Sequence, residues 1–217
     1  MTTARAAETT PRGHPMLDAY QLTLHTLTLR QLASAEQLTE ITGQPVADVE
    51  ANLEKAVADG AVLAARGSYM IGPTGRALLD AAYPDAFADL RADAAVAEAM
   101  DSFETGVNKQ VLSLTTDWQT VEVDGERVPN DHGDADHDAK ILDRLGRTHE
   151  KTQKVLRPVA DADPLVDRFL DRLGTALLRA EGGETDYVSG VRVDSFHTVW
   201  FQMHEHLLRL TGRERPE

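Results

Sequence analysis

Two short stretches concentrate the side chains that could do chemistry. The first, Pro129-Asn130-Asp131-His132-Gly133-Asp134-Ala135-Asp136-His137-Asp138, sets five side-chain acceptors and two imidazoles within ten residues. The second runs Asp194-Ser195-Phe196-His197-Thr198-Val199-Trp200-Phe201-Gln202-Met203-His204-Glu205-His206-Leu207-Leu208. Read as a helix, it puts His197 and His204 on one face, seven residues apart, with Trp200 and Phe201 between them. If both stretches face one cavity, Asn130, Asp131, His132, Asp194, His197, Trp200 and His204 line it and make an effector site. Within that set Asp131, His132, His197 and His204 are the metal candidates, because two or three imidazoles and a carboxylate suit Zn²⁺ or a similar divalent ion. The blander readings are a solvated loop that caps the next helix, and a buried histidine hydrogen-bonded to a carboxylate.

Catalytic patterns are missing. The chain has no nucleophile elbow and no P-loop, and His204-Glu205-His206 has the wrong spacing for a zinc-protease helix. The first stretch is not an EF-hand, since no Glu closes a twelve-residue loop. A non-enzyme is expected, with a metal-dependent enzyme built on the Asp/His cluster as the alternative. No cofactor is required beyond the candidate divalent metal.

These stretches need a scaffold, and the chain is mostly helical in pattern. Leu17 to Leu32 carries a helical apolar stripe, although the alternation in LTLHTLTL also permits a strand. Ser34 with Gln37 makes a capping box for a short helix that Gly43 stops. Pro45 then opens a second helix with Val46, Val49, Leu53, Ala56 and Val57 on one stripe. Strands at Ala61–Ala65 and Tyr69–Ile71 follow, joined at Arg66-Gly67-Ser68. Helix, turn, helix and ribbon is the winged-helix order, in which the second helix is offered to the DNA major groove. Downstream, Thr74 should cap a helix that Pro84 breaks or kinks. Further helices are expected over 101–117, 139–160, from Asp163-Pro164, and after an Asp194 N-cap. An irregular or hairpin-like link surrounds Asp124-Gly125, and Tyr187 to Val193 should be extended. The expected fold is therefore mainly α: a tail over 1–15, a winged helix-turn-helix of three helices and a two-stranded wing over 16–80, and an all-helical effector or dimerisation domain over 81–217.

Composition limits the partners. With 22 Lys and Arg against 36 Asp and Glu, the formal charge is −14, so the global field repels nucleic acid. The second helix would present Ala47, Asp48, Glu50, Ala51, Asn52, Glu54 and Lys55, a face with three carboxylates. Asn52, Lys55, Arg66 and Arg76 are the residues left to contact DNA, with Arg5 and Arg12 of the tail as further cations. No apolar run is long enough for a membrane span, the N-terminus lacks a signal-peptide core, and there is no cysteine. A cytoplasmic protein, as a homodimer, is expected.

The run GQPVADVEANLEKAVADGAV, the small wing and the Gly72-Pro73-Thr74-Gly75-Arg76 exit resemble the MarR-type winged helix of bacterial transcription regulators. The pair PNDHGDADHD and DSFHTVWFQMHEHLL resembles two motifs of an actinobacterial group, roughly PNDHSDPAYD and DSYHTVWFELHEDLL, found behind a winged helix. Similar segments accompany proteins related to phosphoenolpyruvate-utilising phosphotransfer enzymes. This chain departs from the pattern at Gly133 for Ser, Asp136 for Pro or Ala, His137 for Tyr and Phe196 for Tyr. The resemblances imply a DNA-binding transcription regulator that senses a small molecule or metal in its helical half. Alternatively they imply an accessory subunit whose winged helix docks a protein, such as a phosphotransfer enzyme.

Overall fold

The computed structural model describes residues 16–215 and is mainly helical. The tail expected over 1–15, with Arg5 and Arg12, lies outside the described residues. The chain begins with α1 (Ala19–Arg30), opened by a capping box between Asp18 and Gln21. Seven consecutive residues of α1, Thr23 to Leu29, are buried, so the helix is enclosed on all sides. Its threonines fit such a site because their hydroxyls turn back onto the helix. Thr23 donates to Ala19 O, Thr26 to Leu22 O and Thr28 to Leu24 O at 2.9–3.0 Å. That settles the helix-or-strand ambiguity of the LTLHTLTL segment.

Next come α2 (Ala35–Thr42) and α3 (Val46–Ala58). Ser34 and Gln37 form the expected box, and Gly43 ends α2 in the left-handed region at φ 67°. A Cβ at Gly43 would meet the guanidinium of Arg168, the far end of an exposed side chain that can swing aside, so it is the positive φ that calls for glycine here. Strands β1 (Val62–Ala65) and β2 (Ser68–Ile71) pair antiparallel with Val62 opposite Ile71 and Ala65 opposite Ser68. The two turn residues Arg66 and Gly67 both have positive φ, as a tight hairpin of the natural twist demands. An isolated bridge between Ala33 and Tyr69 ties the ribbon to the α1–α2 link.

The remaining order is α4 (Pro73–Ala86), α5 (Ala88–Ala92), α6 (Ala94–Ser102), a π-helical turn (Phe103–Asn108), α7 (Lys109–Gln119), β3 (Thr120–Val123), β4 (Glu126–Pro129), α8 (Ala135–Val155), α9 (Arg157–Ala162), α10 (Pro164–Glu181), α11 (Asp186–Ser189) and α12 (Phe196–Thr211). Several expectations need correction. The downstream half is not all-helical, because β3 and β4 form an antiparallel hairpin about Asp124 and Gly125. Pro84 does not break α4: it sits in the last turn, where the helix ends two residues later at Ala86. Gly72 rather than Thr74 is the N-cap of α4. The segment expected to be extended starts with the short helix α11. Helix α8 opens at Ala135, four residues before the predicted start, because the Asp134 carboxylate takes the backbone N–H groups of Asp136 and His137.

One apolar core runs through both halves, from Leu24 and Leu27 of α1 to Val199, Met203 and Leu207 of α12. Helix α12 is the axis of the downstream half, packed on α10, α11 and α5, and it also touches α1. Among the described residues no helix is long and apolar enough to cross a membrane.

Candidate functional site

The seven residues of the sequence-derived effector set do not converge on one cavity. Asn130 and His132 belong to a closed turn. The Asn130 amide donates to Trp118 O and to Asp138 Oδ1, both at 3.0 Å, and His132 Nδ1 lies 2.8 Å from Asp138 Oδ2. His132 reaches this position through a left-handed backbone (φ 60°) and stacks obliquely on Trp118 at 4.6 Å between ring centroids. Asp131 accepts from the Gly133 N–H. These bonds join β4 to the start of α8, where Asp134 supplies the cap.

Asp194 is not the N-cap of α12; Ser195 is, accepting from the Thr198 N–H. The Asp194 carboxylate instead bridges Arg30 of α1 at 2.6 Å and Arg172 of α10 at 2.8 Å. Burial pushes its pKa up, but the hydrogen bonds and charges of Arg172 and Arg30 outweigh that and the net shift is downward. Burial is the main cause that lowers Arg172 in turn. The bridge forms the floor of a polar cleft between α1–α2 and α10–α11.

Trp200 and His204 face the π-turn. The indole N–H of Trp200 donates to Asn108 Oδ1 at 3.0 Å, the Asn108 amide donates to Glu104 Oε2 at 3.0 Å, and His204 Nε2 meets Glu104 Oε1 at 2.7 Å. Phe103 stacks on Trp200 at 5.3 Å. His197 is half-buried, with its pKa lowered by desolvation. The metal candidates Asp131, His132, His197 and His204 are therefore dispersed, and among the described residues no group of three or more Asp, Glu or His is placed to hold an ion.

A different convergence lies at the junction of the halves. Tyr83 of α4, His25 of α1, His206 of α12 and Asp163 at the N-cap of α10 form a buried chain. Tyr83 Oη is 2.9 Å from His25 Nδ1, His25 Nε2 is 2.9 Å from His206 Nδ1, and His206 Nε2 is 3.0 Å from Asp163 Oδ2. One assignment satisfies the first two links: Tyr83 O–H donates to His25 Nδ1, and His25 Nε2–H donates to His206 Nδ1. Desolvation, then the neighbouring His206 and Arg209, hold the His25 pKa well below its ordinary value, and burial raises Tyr83 to about 12. The last link is the loose one, because the His206 N–H is not aimed at the Asp163 oxygen for a hydrogen bond.

His25, His206 and Asp163 also line a cavity of about 250 Å³. Its other walls are mostly apolar (Leu17, Leu22, Phe87, Leu165), and the exposed Arg168 supplies a cation. His25 lies within the apolar Leu17–Leu32 segment, and His206 sits in the second polar stretch but outside the effector set drawn from it. The available signal was a run of buried-type positions in α1 interrupted by one imidazole. Its partner, 181 residues away, left no local trace.

Of the DNA-contact candidates, two are committed internally. The Asn52 amide donates to Ala19 O at 3.2 Å and Thr23 Oγ1 at 3.0 Å, clamping α3 to α1. Lys55 pairs with Asp59 and lies over the Tyr20 ring. Arg66 and Arg76 are exposed. Asp48, Glu50 and Glu54 are exposed along α3, and Leu63 and Met70, cross-strand partners, are 58% and 45% exposed on the ribbon. No known protein family, curated protein or solved structure matches this chain.

Proposed function

We propose that this chain is an effector-responsive regulatory protein in which residues 16–80 act as a winged helix and the helical half as the sensor. The observation that carries this reading is the junction cavity. Its walls come from α1, α10 and α12, and its one flexible cation, Arg168, rests against Gly43 in the turn of the helix-turn-helix. A ligand that draws Arg168 toward itself removes a support of that turn, so occupancy and the attitude of α3 are coupled.

One carboxylate and one guanidinium among apolar walls suit a small ligand carrying both charges on an apolar body, such as an apolar amino acid. Leucine, methionine or phenylalanine should raise the thermal midpoint, by about 2–4 °C for each kcal/mol of linkage. Blocking the ammonium or the carboxylate of the same amino acid, or the substitution Arg168→Gln, should abolish the shift. Equal shifts with the blocked compounds would rule this ligand class out.

The output of the winged helix is, on its surface chemistry, a protein partner. Asp48, Glu50 and Glu54 on α3 repel a phosphate backbone, while exposed Leu63 and Met70 on the ribbon suit an apolar contact. DNA is the second reading, favoured by the exposed Arg66 and Arg76 at the ribbon tip and the start of α4. Cross-linking from residue 63 in the native cell should trap a single protein, and Leu63→Glu should release it. If instead the chain retards its own upstream DNA at low salt and Arg66→Ala with Arg76→Ala removes the retardation, the target is DNA.

A further inference from the structure

The chain's five lysines are Lys55, Lys109, Lys140, Lys151 and Lys154, and four of them lie on α8 or against it. On α8 itself Lys140, Arg144, Arg147, Lys151 and Lys154 recur at intervals of four and three residues, which puts all five on one exposed stripe. Between that stripe and the helix formed by the π-turn and α7 lies an open cleft of about 530 Å³. Lys109, Arg144, Arg147 and Lys151 line it, with the hydroxyls of Thr105 and Ser113, and no carboxylate is among its walls. In a chain of charge −14 such a segregation of cations is the opposite of a randomly solvated face.

Two further observations separate this cleft from an ordinary basic patch. Arg144 and Arg147 are held by Asp117 at 3.4 Å and Asp143 at 2.6 Å, whereas among the described residues Lys109 and Lys151 have no carboxylate within ion-pair distance. The second is the π-turn. It faces the cleft with Thr105 and Gly106, and a Cβ on Gly106 would meet nothing within 4 Å. Such turns are rare and recur at functional sites. The other side of the same turn holds His204 and Trp200 through Glu104 and Asn108, so pressure on the cleft reaches α12 directly.

We propose that this cleft binds a small polyanion carrying two or more phosphate groups. Two lysine ammonium groups, two guanidinium groups shared with aspartates and the hydroxyl donors suit a ligand with several negative charges in charge-assisted contacts, and the absence of an aromatic wall argues against recognition of a nucleobase. The site is separate from the junction cavity and its test does not depend on that ligand.

The experiment is calorimetric titration of the full chain with tripolyphosphate at low salt, with inorganic phosphate as the singly grouped control. Binding of one tripolyphosphate per chain is expected, with phosphate weaker by about a hundredfold, since each lost charge-assisted contact of ~1.4 kcal/mol is tenfold. Lys109→Gln combined with Lys151→Gln, two exposed side chains whose loss spares the fold, should weaken binding by about a hundredfold on the same reasoning. Gly106→Glu, which places a carboxylate in open space within the cleft, should abolish it. Lys154→Gln, on the stripe but outside the cleft, should change it by less than about twofold. No heat with tripolyphosphate overturns the proposal, as does undiminished binding by the double variant. Displacement of tripolyphosphate by duplex DNA through the same two lysines would identify a nucleic-acid surface instead and equally overturn it.

Discussion

Glu104→Ala should cost about 3 kcal/mol of folding stability, among the largest effects of any single change in this chain. The carboxylate takes His204 on one oxygen and Asn108 on the other, and the side chains of Glu104 and His204 are 13% and 5% exposed. Deleting it leaves a buried imidazole and a buried amide without acceptors, and Asn108 is itself the acceptor of the Trp200 indole. The penalty is therefore the desolvation of two polar groups, with little contribution from lost packing. Glu104→Gln keeps one carbonyl and should recover about half of the loss. Urea unfolding checks both, the midpoint moving with an unchanged slope. A loss below about 0.5 kcal/mol would show that water satisfies the orphaned groups.

Acidification should destabilise the protein from the unfolded histidine pKa of about 6.5 downward. His25 is fully buried and its folded pKa is depressed, so below that pH the unfolded chain takes up a proton that the folded chain refuses. Stability is then complete above about pH 6.5 and falls by up to about 1.4 kcal/mol per pH unit until the folded pKa is reached. His197, half-buried and also depressed, adds a smaller contribution of the same sign. Protonation of His25 has a geometric cost as well. Both of its nitrogens would then donate, so the Tyr83 hydroxyl must turn to accept, while the bond to His206 Nδ1 is kept. At the alkaline end Tyr83, raised to about 12, keeps its proton after the unfolded tyrosine loses it near pH 10, so stability falls again there. Unfolding free energies across this range, with His25→Gln removing one proton from the acid slope, test the assignment. An unchanged slope would mean that another group carries it.

What could be read from the sequence was what the chain decides locally. Ser34 with Gln37, Gly43 and the acidic loop before α8 all act on neighbours within a few residues, and each proved to be a cap. The cap of α12 is Ser195 and not Asp194: both are good cap residues in sequence, and only the third dimension shows that two arginines claim Asp194. The seven residues of the effector set lie in separate clusters for a related reason. Asn130 and His132 are satisfied by Asp138 and Trp118 nearby, whereas His204 is satisfied by Glu104, a hundred residues earlier. Chemistry-bearing residue types identify themselves in a sequence; their partners do not when they arrive from distant helices. The π-turn was likewise invisible, since Phe103-Glu104-Thr105-Gly106-Val107-Asn108 continues a helical pattern on both sides.

The enclosure of α1 has a consequence for any attempt to treat the first eighty residues as a portable module. That helix packs on α12, and it carries His25 and Arg30, whose partners His206 and Asp194 lie in the carboxy-terminal third, where Asp194 is shared with Arg172. Grafting this unit onto another sensor would strand an imidazole and expose a full wall of leucine and threonine. The two halves should therefore be inherited, expressed and lost together.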